Sequence, residues 1–193
     1  MELDEDVARD LQSLKKTIAR FWRQSSPDNQ MRTVFIETSF EQDILRGGHM
    51  IIDAVGVPDG LSQDAEEADD EAGFDLELVF QKVLLEGDSE WKQSTAKKVI
   101  DTKGMRGDLS RCLPTKGRFS FAHIDFDGMG GFAHIIEDTA KFGKFRILEA
   151  LAGGPLGNVM FNLKQPLRRE ECFRMSSKLK CSFSEFLKKE QQQ

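Results

Sequence analysis

The stretch Gly130-Gly131-Phe132-Ala133-His134-Ile135-Ile136-Glu137-Asp138 decides how the rest of the chain is read. A glycine pair supplies a turn that side chains would block, and the segment after it enters a strand ending in two carboxylates. Immediately upstream, Phe119 to Phe126 has the same strand character, so the two segments form a hairpin around Asp127-Gly128-Met129-Gly130-Gly131. Phe121-Ala122-His123-Ile124 recurs as Phe132-Ala133-His134-Ile135, one short echo that reflects strand composition rather than a repeat architecture. Downstream, Glu137 and Asp138 stand where a helix over Thr139 to Leu151 begins, with Asp138 as its N-cap, and Gly153-Gly154-Pro155 closes it.

Further out, residues 4 to 24 place Val7, Leu11, Leu14, Ile18 and Phe21 at helical spacing with charges between them, the pattern of an amphipathic helix. Ser25 to Asn29 stops it with proline and short polar side chains. Thr33 to Thr38 reads as a strand, Arg46-Gly47-Gly48 turns the chain into a second, His49 to Val55, and Pro58 ends that one. Between Asp59 and Gly73 the apolar pattern vanishes and carboxylates accumulate, which places an acidic linker and a module boundary there. A helix follows from Asp75 to Glu86 with Leu76, Val79, Phe80, Val83 and Leu84 inward, then Trp91, Val99 and Ile100 as buried residues between turns. Near the C-terminus, helical segments are expected over Arg168 to Lys178 and Ser184 to Glu190.

At 193 residues the chain can bury a sizeable core as one domain or two small ones. No apolar run approaches the ~20 residues that cross a bilayer, and the first residues are acidic where a secretory signal is basic and then apolar. We therefore expect a soluble intracellular protein without membrane partners. Cys112, Cys172 and Cys181 are odd in number and include no Cys-x-x-Cys pair, so neither a disulfide framework nor a thiolate metal site is indicated. The net charge of −6 argues against a chain that coats nucleic acid uniformly, since phosphate neutralisation needs clustered cations. The charge is unevenly spread, however: from Lys164 to Lys189, eight cations including Arg168, Arg169, Lys178 and Lys180 face three carboxylates. Such a tail is either a solvated helix face or a contact for RNA or an acidic protein.

The order Asp88-Ser89-Glu90-Trp91, Ile100-Asp101-Thr102, Leu113-Pro114, Phe121, Asp125-Phe126, Gly130 to Asp138, Lys141-Phe142 and Glu149 resembles the second C-terminal domain of the CwfJ family, factors associated with spliceosomes and spliced-out introns. Val34-Phe35-Ile36-Glu37-Thr38 and His49 to Pro58 resemble that family's other module, a domain related to histidine-triad nucleotide hydrolases. The resemblance implies an α+β fold with a truncated histidine-triad-like module at residues 1–58, the acidic linker at 59–73 and a CwfJ-type module at 74–190. The first strands of a histidine-triad domain, and the cysteine and histidine metal-binding positions that the family carries before them, have no counterpart here. That leaves an open sheet edge which a truncation, a longer gene product or a completing partner would explain.

A histidine-triad hydrolase needs a His-x-His-x-His strand in which alternate imidazoles share a face and one attacks phosphorus. The matching positions here are His49, Ile51 and Asp53, so covalent transfer through a histidine cannot operate. A second constellation is His123, Asp125 and His134 on the hairpin, where alternation puts the first two on one face and a metal or phosphate site would need the ladder to bring His134 to that face. The simpler role for such groups is hydrogen bonding to the turn or to neighbouring backbone.

The resemblance therefore implies a nuclear, non-catalytic spliceosome component of the post-splicing intron-lariat complex that assists disassembly and lariat turnover. It needs no cofactor or metal. Implied partners are spliceosomal proteins, the lariat-debranching enzyme, and intron or small nuclear RNA, met by Gly128, Gly130, Gly131, His134, Arg168, Arg169, Lys178 and Lys180. The competing readings are a histidine-triad-related phosphodiesterase or nucleotide-binding enzyme and a protein-binding module outside splicing.

Overall fold

The computed structural model of the chain describes residues 5–25, 31–40, 50–58, 76–86, 99–103, 109, 120–136, 147 and 168–192. Two compact units are present, Met1–Val159 and Met160–Gln193. His49, Trp91, Cys112, Glu137, Asp138, the acidic segment 59–73 and the expected helix 139–151, apart from Ile147, lie outside the described residues.

The first unit carries the strands β1 (Met31–Ser39), β2 (Ile51–Pro58), β3 (Ile100–Asp101), β4 (Ser120–Phe126) and β5 (Gly131–Ile136). They form one sheet in the order β2-β1-β4-β5-β3, with every pairing antiparallel. β1 thus lies between β2 and β4, and strands from either side of the acidic segment hydrogen-bond to each other directly. The edge of β1 that a half-module would leave bare is covered within the chain by β4. Helices α1 (Glu5–Ser25) and α2 (Leu76–Glu86) complete the regular elements of this unit among the described residues.

Strand side chains alternate, so the register sorts them into two faces. Val34, Ile36, Val57, Ala122, Ile124, Phe126, Phe132 and Ile136 fall on one face and form the hydrophobic core with Phe80 and Leu84 of α2 and with Ile147. The Phe126 ring is central there, with centroids 5.9 Å from Phe80 and 6.3 Å edge-on from Phe132. Thr33, Phe35, Glu37, Ser39, Phe121, His123 and Asp125 fall on the other face, where α1 engages them through Lys15.

The helical period of α1 is as expected, but its inward face is rotated from the expected stripe. Val7 and Leu14 are half exposed, whereas Lys15 and Ala19 are buried beside Phe21 of the expected stripe. The cause is the surface beneath: it presents carboxylates, so a lysine that buries its stem and aims its ammonium inward fits better than a leucine. Further along, Trp22 lies over Gly56, where an added Cβ would come within 2.9 Å of the indole.

The β4–β5 connection follows the chemistry of its residues. Asp127 and Gly128 have φ of 57° and 75°, and Met129 N–H donates to Phe126 O at 2.9 Å, the two-residue turn whose twist suits a hairpin. Asp127 also fastens the turn to β1, since its carboxylate accepts from Thr33 N–H and its own N–H donates to Thr33 O, both at 2.8 Å. Gly130 has φ 95°, and a Cβ there would lie 2.5 Å from Thr102 O. At Gly131 the obstacle is Ile124 O at 2.3 Å.

The second unit contains α3 (Arg169–Glu190), one continuous helix in place of the two expected segments. Its sequence holds no proline or glycine, and Ser184, where the second expected segment begins, bonds back to Lys180 O at 2.8 Å, so the helix runs through the expected break. No helix among the described residues is long and apolar enough to cross a membrane.

The turn glycines differ in what they require. Gly128→Asn keeps a residue that tolerates positive φ, and its Cβ would meet Lys15 Cβ at 3.5 Å, an ordinary contact, so denaturant unfolding is expected to shift by about 1 kcal/mol. Gly130→Ala adds strain and a backbone collision together, and the expected loss is about 3 kcal/mol or more. Equal midpoints for the two variants would contradict this account of the hairpin.

Candidate functional site

Beneath α1 the sheet buries a connected set of charged and polar groups. Lys15 Nζ forms an ion pair with Glu37 and another with Asp125 at 2.8 Å. Asp125 also accepts from Gly130 N–H at 2.8 Å, which ties the lysine to the hairpin loop. Glu37 lies 2.8 Å from His123 Nδ1, and Thr102 Oγ1 lies 2.9 Å from His123 Nε2. Gly131 N–H donates to Thr102 Oγ1 at 2.8 Å, and Thr102 N–H donates to Gly131 O at 2.9 Å. Three elements, α1, β1 and β4, therefore meet the residue after β3 and the end of the hairpin loop through five side chains.

Hydrogen-bond roles follow from the partners. An ionised Glu37 accepts, so His123 Nδ1 donates; Thr102, which accepts from Gly131, has its hydroxyl proton left for His123 Nε2. Every polar atom of the imidazole is then satisfied, as burial demands. Burial works against the charge on Glu37, but the hydrogen bond from His123 and the ammonium of Lys15 outweigh it and hold the carboxyl below its usual range. Burial likewise opposes the charge on Lys15, and Glu37 and Asp125 overcome it, holding the ammonium above the ordinary lysine value. The Lys15 Nζ also lies 5.6 Å from the Phe35 ring centroid, a further favourable contact for the cation.

The order Thr102 hydroxyl, His123 imidazole and Glu37 carboxylate matches a nucleophile, its base and an orienting acid. Access separates it from a working site: Thr102 and His123 are fully buried and Glu37 is 2% exposed. The Thr102 oxygen is moreover engaged by Gly131 N–H. What this arrangement does is hold α1, β1, β3 and the hairpin in register. Lys15 occupies the place between two carboxylates where a cation would otherwise be needed. Among the described residues, no group of three His, Cys, Asp or Glu is disposed to hold a metal ion.

The expected trio of His123, Asp125 and His134 does not converge. His134 pairs with Ala122, while His123 pairs with Ala133, so His134 stands on the opposite face of the sheet from His123 and Asp125. The hairpin register sets this: an offset of one residue between the two histidines reverses the face. Of the degenerate triad positions, Ile51 and Asp53 are exposed on β2, the outer strand. The loop glycines are buried rather than presented. Gln12 Nε2 donates to Gly128 O, Gly130 abuts Thr102, and only Met129, 63% exposed, projects from the loop. Arg168, Arg169, Lys178 and Lys180 are exposed on α3 and immediately before it. A second surface cluster joins Asp127 to Arg23 and Arg32, and Arg32 and Lys103 to Glu77.

Glu37, Thr102 and Asp125 each belong to stretches already singled out by the family resemblance, but nothing in the sequence joins them. Lys15 sits 110 residues from Asp125, and Glu37 sits 86 from His123. Lys15 stands outside the apolar stripe that helical spacing marks, so no signal in the sequence pointed to it.

Comparison with known proteins gives a consistent relationship. The chain is 29% identical over 153 residues to CWF19-like protein 2 of Mus musculus and of Homo sapiens, a match that covers 78% of this chain and 14% of each relative. It is 30% identical over 151 residues to CWF19-like protein 2 of Danio rerio, covering 78% of this chain and 13% of that protein. No family model matches. These similarities support a relationship to Cwf19- or CwfJ-type proteins, and the chain spans about one seventh of the length of these vertebrate relatives.

The network makes its own predictions. Lys15→Met leaves two buried carboxylates without a cation and is expected to cost about 3–5 kcal/mol, and adding Glu37→Gln and Asp125→Asn to it should recover part of that loss in denaturant unfolding. Thr102→Val strands His123 Nε2 and Gly131 N–H, with an expected cost of about 2 kcal/mol. Because the folded-state carboxyl of Glu37 is depressed, its contribution is present above the ordinary glutamate value of 4.5 and lost as pH falls through the lower folded value. The stability gap between the parent chain and Glu37→Gln should be largest near neutrality and close in acid. A gap independent of pH would show that the Glu37 charge is not what matters.

Proposed function

We propose that this chain is a nuclear splicing factor acting by binding, a non-catalytic component of the post-splicing intron-lariat spliceosome that assists its disassembly and lariat turnover. The observation that carries the reading is the similarity to CWF19-like protein 2 over 78% of the chain. The residues that resemble the CwfJ family support it, because Thr102, Asp125, Gly130 and Gly131 of that pattern are the ones that lock the hairpin beneath α1. Such residues serve a rigid platform rather than an open catalytic pocket.

Burial of Thr102, His123 and Glu37 and the exposure of Ile51 and Asp53 on an outer strand favour binding over hydrolysis. The exposed cations of α3 and the projecting Met129 are the surfaces offered to partners, which in this reading are spliceosomal proteins, the lariat-debranching enzyme, and intron or small nuclear RNA. Affinity purification of the tagged chain from its own cells tests it directly. Enrichment of excised lariat introns with late spliceosomal proteins is the expected result. Recovery of a nucleotide or a small metabolic complex in their place would overturn it.

A further inference from the structure

The helix α3 presents an apolar seam that the chain leaves largely open. Cys172, Met175, Leu179, Phe183 and Phe186 recur at three- and four-residue spacing along it. Phe183 and Phe186 stack with centroids 6.0 Å apart; Phe186 is buried and Phe183 half-buried. In the N-terminal half, Met175 and Leu179 remain 53% and 48% exposed, and Phe173 beside them is 75% exposed. Phe173 lines a shallow depression with Arg169, Glu170, Cys172 and Ser176. Arg168, Arg169, Arg174, Lys178 and Lys180 are exposed around this half, against Glu170 and Glu171.

We propose that the N-terminal half of α3 is the docking site for an acidic amphipathic helix of a partner protein. The spacing of the open apolar residues is that by which one helix receives another, and the surplus of cations selects a partner of opposite charge. A second copy of this chain is disfavoured, because pairing α3 with itself sets arginines and lysines against arginines and lysines. A continuous phosphate surface, whether RNA or lipid, fits less well: RNA can stack a base on Phe173 but gives no role to Met175 and Leu179, and Glu170 and Glu171 repel phosphate in both cases. A partner helix can answer each of these groups separately, apolar to apolar and charge to opposite charge. The inference depends on the preceding reading only in taking the chain to act by binding; the partner chemistry comes from α3 alone.

The test uses the full chain and fluorescence anisotropy with four probes. These are an acidic amphipathic peptide of about twenty residues with leucines on one face and glutamates on the other, a permuted peptide of the same composition, a uridine homopolymer, and phosphatidylserine-containing vesicles. The amphipathic peptide should bind at least about ten-fold more tightly than the permuted one, and Phe173→Ser and Leu179→Ser should each weaken it about ten-fold. Lys178→Glu/Lys180→Glu should weaken it as well, and the effect should shrink in high salt. All four positions are exposed in the structure, and circular dichroism checks that the variants keep their helix. Equal binding of the two peptides, no binding, tighter binding to the RNA or the vesicles, or dimerisation abolished by Leu179→Ser would each overturn the proposal. Since no spliceosomal material is present, a negative result here leaves the splicing assignment standing, and a failure to recover lariat introns leaves this one standing.

Discussion

The ammonium of Lys15 is the group on which the inner face of the sheet depends. Glu37 and Asp125 point the same way from neighbouring strands, and two carboxylates under a helix in a water-poor space would repel each other without a cation between them. The lysine comes from α1, so the charge that makes the sheet face tolerable also fixes where the helix lies. From there the constraint passes outward. Asp125 grips Gly130, Glu37 orients His123, His123 holds Thr102, and Thr102 closes on Gly131. One face of the sheet is thus organised by shape and the hydrophobic effect, the other by matched charge and direction, and both converge on the hairpin.

A hydroxyl, an imidazole and a carboxylate in line are ordinarily associated with acyl or phosphoryl transfer, and here the same line stabilises a fold. The distances do not separate these roles. What separates them is whether the oxygen has a free approach and a free lone pair, and Thr102 has its oxygen committed to backbone on one side and to histidine on the other. Evolution of a scaffold from an enzyme-like module, or the reverse, would require changing access rather than the groups themselves.

Local order was legible where a single period governs it. The helix over residues 5–25, the strands β1 and β2, the hairpin and α2 all follow from alternation, helical spacing and glycine placement. Orientation was less legible. Periodicity finds a helix but ranks lysine as an outward residue, so the burial of Lys15 in place of Leu14 is visible only once Glu37 and Asp125 are known to lie below it. His134 illustrates the same limit in a strand: the echo of Phe-Ala-His-Ile invites pairing of the two histidines, whereas the loop sets His123 against Ala133. The join between the strands before and after the acidic segment was equally hidden, because β1–β4 pairing is a property of the folded sheet and leaves no trace in neighbouring residues.

That join has a temporal side. β1 is followed closely in the chain by β2, whereas the strand on its other edge comes some 86 residues later, the separation between Glu37 and His123. At synthesis rates of about 5–20 residues per second, the interval is on the order of ten seconds. Until then, β4 cannot satisfy the backbone donors and acceptors along the β1 edge that carries Val34, Phe35 and Ile36. Synthesis of β4 is the event that lets this edge close.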